Sequence, residues 1–219
     1  MVINMSFLKN IFKKEAEVEV ERKLTHANQL KKNDIIVLSD SFGLPETLRG
    51  QEFQVSAINC YEYENKTETE WVLEGTNNTQ IYLTLDIDDE TYLKFSLKIE
   101  RNDVETLFNL DDFATIFDEP GNAFLERQAD SSSTSQWSSD QYQQQTYSQV
   151  GYFHRKDNRV ESLSSYEGKD AGEQFELYAL FDKEDTRGID IEVWQDGDTE
   201  VFLTLFRPTT DIIDMYPGS

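Results

Sequence analysis

Apolar and polar residues alternate over much of this chain, and the alternation marks strands. Apolar side chains recur at every second position in Ile81, Leu83, Leu85 and Ile87, and again in Leu93, Phe95, Leu97 and Ile99. Between the two runs lies Asp88-Asp89-Glu90-Thr91. A period of two turns one face of each run towards a core, and an Asp-rich polar turn between such runs makes a hairpin. Asp103-Val104 to Leu107-Phe108 then reads as a short helical turn. The same order returns 108 positions later, without a gap, in Ile189 to Tyr216. Asp88-Asp89-Glu90-Thr91 falls on Asp196-Gly197-Asp198-Thr199, and Ile81, Leu83 and Leu85 fall on Ile189, Ile191 and Val193. Leu93, Ser96 and Leu97 fall on Val201, Thr204 and Leu205. Phase is kept behind the hairpin, where Asp103-Val104 meets Asp211-Ile212. This is the pattern of an internal duplication.

The remaining pattern fills in four segments. Residues 1–29 hold an amphipathic helix candidate and an acidic spacer. Phe7, Leu8, Ile11 and Phe12 lie on one side of that helix, flanked by Lys9, Lys13 and Lys14. It is a foot for an anionic lipid surface, a helix for a partner's groove, a helix packed on its own domain, or a frayed terminus. Residues 30–127 read as a first β unit: strands at Asp34–Leu38, Phe53–Tyr63 and from Trp71, then the hairpin. A helix around Phe113, Ile116 and Phe117 covers its open face until Pro120-Gly121 breaks it. Residues 128–146 (QADSSSTSQWSSDQYQQQT) are rich in Ser and Gln and read as a linker. Trp137, Tyr142 and Tyr147 are unusual there, and are either contacts for a partner or docked on the protein's own surface. Residues 147–219 read as a second β unit, with strands at Gln149–His154, Arg159–Leu163 and Phe175–Phe181, the second hairpin, and a terminal turn over Asp211–Tyr216. The fold class expected is mainly β (α+β), two related antiparallel units, each with a short helix, packed as one pseudo-twofold body. Each unit alone would bury a marginal core.

Composition narrows the function classes. The 219 residues carry 43 Asp and Glu against 20 Lys and Arg, a formal net charge of −23. The acid is spread along the chain, which argues against binding nucleic-acid phosphates, where Lys and Arg replace released counterions. It suits solubility or a basic protein surface. One cysteine, Cys60, rules out an internal disulfide and fits a reducing compartment. No run is long enough to span a membrane as a helix, and lysines interrupt the start before a secretory signal can form. A cytoplasmic protein, at the inner face of the membrane if the helical foot holds lipid, is expected.

Motifs of chemistry are absent from the sequence. The histidines, His26 and His154, are far apart and neither lies near a second metal-type ligand, so no zinc spacing exists. No phosphate loop or nucleophile elbow occurs. Asp86–Thr91 starts like a calcium loop, but Thr91 stands where glycine is needed and Leu97 where glutamate is needed; Asp182–Arg187 and Asp196–Asp198 fail likewise. No catalytic, cofactor-binding or metal residue is assigned.

Leu30-Lys31-Lys32-Asn33-Asp34-Ile35, Gly50-Gln51-Glu52-Phe53-Gln54-Val55 and Glu70-Trp71-Val72-Leu73-Glu74-Gly75, with Phe7-Leu8-Lys9-Asn10-Ile11-Phe12 at the start, resemble a bacterial β-rich family known as a domain of unknown function. Its genes often lie near those of phage-shock-type, membrane-remodelling coiled-coil proteins. The resemblance covers roughly residues 5–108. It implies a non-enzymatic accessory or scaffold role in envelope stress, with such a protein as partner, and carries no functional residue over. The function expected is a non-enzymatic acidic interaction module. Its alternatives are an acidic nucleic-acid mimic that inhibits a basic protein, and an enzyme without a recognisable motif.

Overall fold

A computed structural model describes residues 22–76, 79–160 and 172–218. Its strands are β1 (Ile35–Leu38), β2 (Glu52–Glu62), β3 (Thr67–Gly75), β4 (Gln80–Ile87), β5 (Thr91–Ile99), β6 (Phe124–Glu126), β7 (Gln141–His154), β8 (Glu173–Phe181), β9 (Arg187–Trp194), β10 (Thr199–Pro208) and β11 (Ile212–Tyr216). Two short helices, α1 (Arg101–Leu107) and α2 (Leu110–Ala114), lie between β5 and β6. All strand pairs are antiparallel, in one sheet of order β11-β1-β2-β3-β4-β5-β10-β9-β8-β7-β6. A further pairing of β2 with β7, Cys60 opposite His154 and Glu62 opposite Tyr152, closes the eight central strands into a ring. Closure removes the edges that those strands would otherwise expose.

The first unit and the second therefore join edge to edge, not as two sheets packed face to face. β5 pairs with β10 from Ile99 opposite Val201 to Tyr92 opposite Pro208, with Ser96 opposite Thr204. The order β2-β3-β4-β5 on one side of this seam is matched by β7-β8-β9-β10 on the other.

One face of the ring builds the main core. Trp71, Leu73, Leu83, Phe95, Ile191 and Leu203 are buried there against β1 and the connecting loops. Trp71 is fixed by its Nε1, which donates to the Leu30 carbonyl at 3.1 Å. The helical turn expected over Asp103–Phe108 is α1, which brings Val104 and Leu107 to the core. Asn109 then caps α2 by accepting from the amides of Asp111 and Asp112 at 2.8 and 3.2 Å, and α2 with the tighter turn Thr115–Phe117 stands where the covering helix around Phe113, Ile116 and Phe117 is expected.

Three segments differ from the sequence reading. Residues 128–146 are not a structureless connection: turns over 132–137 lead into β7, which begins at Gln141. Gln144 does the work of a core residue, accepting from the Ala123 amide at 3.0 Å and donating to the Ile116 carbonyl at 3.0 Å, so its polarity is satisfied in the interior. Gly121, at φ +79°, lies where a Cβ would meet the Tyr147 Cβ at 2.4 Å, so the break at Pro120-Gly121 also seats β7. Arg159 and Val160 lie in a turn, and β7 takes β6, β8 and β2 as its partners instead; residues 161–163 of that expected strand lie outside the described residues. Finally, Asp211–Tyr216 is not a terminal turn: β11 pairs with β1, Ile35 opposite Tyr216.

Candidate functional site

Strand alternation dictates the inner face of the ring. With Ile189 and Ile191 of β9 in the outer core, Asp190, Glu192 and Trp194 turn inward. With Trp71 and Leu73 of β3 outside, Glu70, Val72 and Glu74 turn inward. A bulge in β2 between Val55 and Ala57 switches the phase of that strand. Val55 faces the outer core, and Asn59, Tyr61 and Tyr63 beyond the bulge face the ring. Tyr61, Tyr63, Phe153 and Phe175 form a second, aromatic cluster there. Tyr61 lies 5.0 Å from the ring of Phe153, its partner in the β2–β7 ladder, and 5.5 Å from the Phe175 ring on β8, the next strand round.

A cleft of about 1490 Å³ opens at the end of the ring where β4 and β10 begin and β3, β5 and β9 end. Tyr82, Phe153, Trp194 and Phe202 wall it, and Tyr61 and Glu70 lie at its floor. Beneath them a chamber of about 30 Å³ shares Tyr61, Glu70 and Phe202 with the cleft and is also lined by Thr84, Lys94, Ser96, Asp190 and Glu192. At the rim, Lys98 pairs with Glu200 at 2.6 Å and Arg155 with Glu173 at 3.1 Å. Exposed Glu74, Asp196 and Asp198 add further acid, against one further exposed cation, Lys32. The cleft thus combines aromatic walls with an acidic rim and floor.

The two deep carboxyls, Glu70 and Glu192, are 4% and 5% exposed. Burial pushes Glu70 up to about 7, although hydrogen bonds from Asn59 and Tyr61 work against it. Burial, the nearby Glu70 carboxyl and Asp190 hold Glu192 well above the usual carboxylate range, against a hydrogen bond with Tyr61. Asn59 Nδ2 donates to Glu70 Oε1 at 2.9 Å and the Tyr61 hydroxyl to Glu70 Oε2 at 3.3 Å. Glu192 Oε2 has no hydrogen-bond partner. Lys94 ion-pairs with Asp190 at 2.5 Å; burial pulls its pKa down, but Asp190 and neighbouring carboxylates outweigh this and leave it raised.

On the opposite face of β2 and β7, His154 Nε2 lies 2.8 Å from Glu62 Oε2, with both side chains buried. Cys60 stands directly across from His154, but burial pushes its thiol up to about 12, which leaves it protonated and inert. Among the described residues no group of His, Cys, Asp and Glu is arranged to hold a metal. The Asp-rich turns use their carboxylates locally. Asp182 accepts from the Thr186 and Arg187 amides at 2.8 and 3.1 Å, and Asp196 from the Asp198 amide at 3.1 Å.

Of the residues singled out in the sequence, Phe7, Leu8, Lys9, Ile11, Phe12, Lys13 and Lys14 lie outside the described residues. Trp137 and Tyr142 are each 1% exposed in the main core and offer no surface to a partner. The Tyr142 hydroxyl accepts from the Ser139 amide at 2.5 Å. Tyr147 is half-buried, packed edge-on against Tyr178 at 5.5 Å, with its hydroxyl donating to the Phe117 carbonyl at 3.3 Å. The cleft residues were not anticipated, since Glu70 and Glu192 sit at positions where a one-sided sheet exposes acid to water. The available signal was aromatic: Tyr82, Trp194 and Phe202 share the polar phase of their strands, and a solvated face has no need of them.

Among the described residues no helix is long and apolar enough to cross a membrane. No family model matches the chain, and no curated protein or solved structure does.

Proposed function

We propose that the chain is a non-enzymatic, acidic recognition module that receives a positively charged segment of a partner protein in the cleft. The cleft carries this reading: an opening of about 1490 Å³ at one end of the closed ring, with aromatic walls and a rim where Lys98 and Arg155 are already paired and Glu74, Asp196 and Asp198 outnumber Lys32. Acid that is not neutralised in place attracts cations over a distance, and aromatic faces hold them at contact. The family resemblance of residues 5–108 directs the partner search to membrane-remodelling coiled-coil proteins at the inner membrane face. The Phe7–Lys14 segment is a second, separable contact in this proposal.

The test is affinity capture of the tagged full-length chain from native extract, beside a triple rim variant, Glu74→Gln with Asp196→Asn and Asp198→Asn. A third bait lacks residues 1–14. A basic partner that moderate salt releases, and that the rim variant fails to retain, supports the cleft. The same partners on wild type and rim variant overturn it. Loss of anionic-vesicle binding only in the shortened chain supports the foot; equal vesicle binding removes it.

A second reading, an acid–base enzyme on the same cleft, is favoured by Glu70, whose pKa of about 7 suits proton transfer near neutrality. A ligand recovered chemically unchanged after prolonged incubation supports the module; an altered one supports the enzyme.

We also infer that β2–β5 and β7–β10 are copies of one duplicated unit. The seam supports this. Two copies related by a dyad place equivalent residues opposite each other only at the axis, and Ser96 stands opposite Thr204, its own counterpart 108 positions on, near the middle of the β5–β10 ladder. In an experimental structure, a rotation near a half-turn between the copies agrees with duplication, and a rotation far from it does not.

A further inference from the structure

We infer that the chamber beneath the cleft seats a primary ammonium group on an unbranched stem, with Glu192 and Glu70 as its counter-ions. The inference deepens the cleft reading and rests on the cleft being a binding site. Three observations lead to it. The chamber, at about 30 Å³, admits about one water-sized group; an ammonium head has that size, whereas a guanidinium or a quaternary ammonium does not. Glu192 is 5% exposed, lines the chamber and keeps Oε2 without a partner. An ammonium brings three donors to such a site. The other cation at the chamber, Lys94, is engaged by Asp190, which leaves two carboxyls and no cation of their own.

The approach fits the same ligand. Tyr61 and Phe202 line both the chamber and the cleft, and Tyr82 meets Phe202 edge to face at 5.6 Å. A methylene stem gains apolar contact between these rings while its charged head goes beyond them. Facing the two carboxyls are Tyr61 from β2 and Tyr63 just beyond it, Glu68 from β3, Lys94 from β5, and Asp190 and Glu200 from β9 and β10. Burial first, and the neighbouring acid after it, raise the proton affinity of both carboxyls while the chamber is empty. Entry of an ammonium favours their ionised forms, so binding expels protons and tightens as pH rises from about 5 to about 8.

The experiment is calorimetric titration of the full-length chain with n-butylammonium at about pH 6 and pH 8. Each titration is run in two buffers of different ionisation enthalpy. Tetramethylammonium, Nα-acetyl-arginine methylamide and Nα-acetyl-lysine methylamide serve as further probes. Expected are saturable butylammonium binding, proton release at the lower pH, tighter binding at the higher, and weakening of roughly tenfold or more in Glu192→Gln. Absence of saturable heat with butylammonium at the higher pH overturns the inference. So does undiminished binding by Glu192→Gln, or equal affinity for tetramethylammonium. Glu70→Gln, assayed alongside with circular dichroism, provides the same readout should the first variant not fold. Binding of the lysine probe at least as tight as butylammonium assigns the head group to a protein side chain; butylammonium alone assigns a free alkylamine. If rim-dependent capture holds while butylammonium fails, only this inference falls. If butylammonium binds while capture fails, the ammonium seat stands and the protein partner does not.

Discussion

Glu70→Gln should make the protein more stable above neutral pH and leave it nearly unchanged in mild acid. Glu70 has its ordinary value of 4.5 in the unfolded chain and about 7 in the fold, raised first by burial. The folded state therefore holds the proton more tightly than the unfolded one. The stability this contributes is fully present below about pH 4.5 and is lost as pH rises through about 7. At roughly 1.4 kcal/mol for each tenfold change in proton affinity, the loss amounts to about 3 kcal/mol by pH 8.5. Glutamine carries no charge to desolvate; its single oxygen keeps the hydrogen bond from Asn59, and the Tyr61 oxygen can accept from its amide nitrogen, so the variant escapes most of this loss. It also removes one of the charges that raise Glu192, which flattens the profile further. Urea unfolding of both proteins from pH 5 to pH 8.5 measures the effect. The general repulsion of a chain with net charge −23 acts on both and drops out of the difference. Stability curves that run parallel across the range, or a variant less stable than wild type at pH 8.5, would refute the reasoning.

The Cys60 thiol, buried and with its pKa at about 12, should not react with a disulfide reagent in the native state; labelling should follow the unfolding curve, and fast native labelling would contradict its placement. Gly151→Ala puts a Cβ 2.5 Å from Phe175 Cζ and 3.0 Å from Tyr63 Cε1. It should cost about 1–3 kcal/mol by overpacking the aromatic cluster, read as a lower urea midpoint; an unchanged midpoint would mean that β7 is free to move away. Asp34, 0% exposed, accepts from the Lys31 amide at 2.6 Å and the Gly218 amide at 2.8 Å and pairs with Arg22. Asp34→Ala strands those donors and should cost roughly 2–4 kcal/mol, with faster amide exchange at Gly218; exchange no faster than in wild type would rule out the tie.

The hairpins were legible because their two-residue period is unbroken and their turns are rich in Asp, Gly and Thr. β4 with β5, and β9 with β10, lie where the alternation puts them. β7 was not legible over its first half, because Gln and Ser carry no hydrophobic contrast. The position at Gln144 that faces the main core is filled by an amide whose partners, Ala123 and Ile116, are remote in sequence. β11 was hidden for another reason. Ile212 to Tyr216 is short, with Ile213 and Tyr216 exposed, and only pairing with β1 makes it a strand. Both cases are long-range pairing overriding a weak local pattern.

The site was obscured by the closure that creates it. In an open sheet, the phase holding Glu70, Glu192 and Lys94 faces water, and sequence reasoning correctly treats acid there as solvation. The β2–β7 pairing, three residue pairs from Cys60 to Glu62, folds that face in on itself. The same residues then become desolvated groups, and their proton affinities shift because the ring is closed. Nothing in the residue types distinguishes the two situations. What does is the company they keep: Tyr61, Tyr82, Trp194 and Phe202 occupy the same phase, and aromatic rings interleaved with acid on a face assigned to solvent imply that the face is covered. Read in that way, the excess of 43 acids over 20 bases divides into two parts. One is a solvated exterior of ordinary kind. The other is a small interior set whose burial raises the proton affinity of Glu70 and Glu192 and ties Asp190 to Lys94.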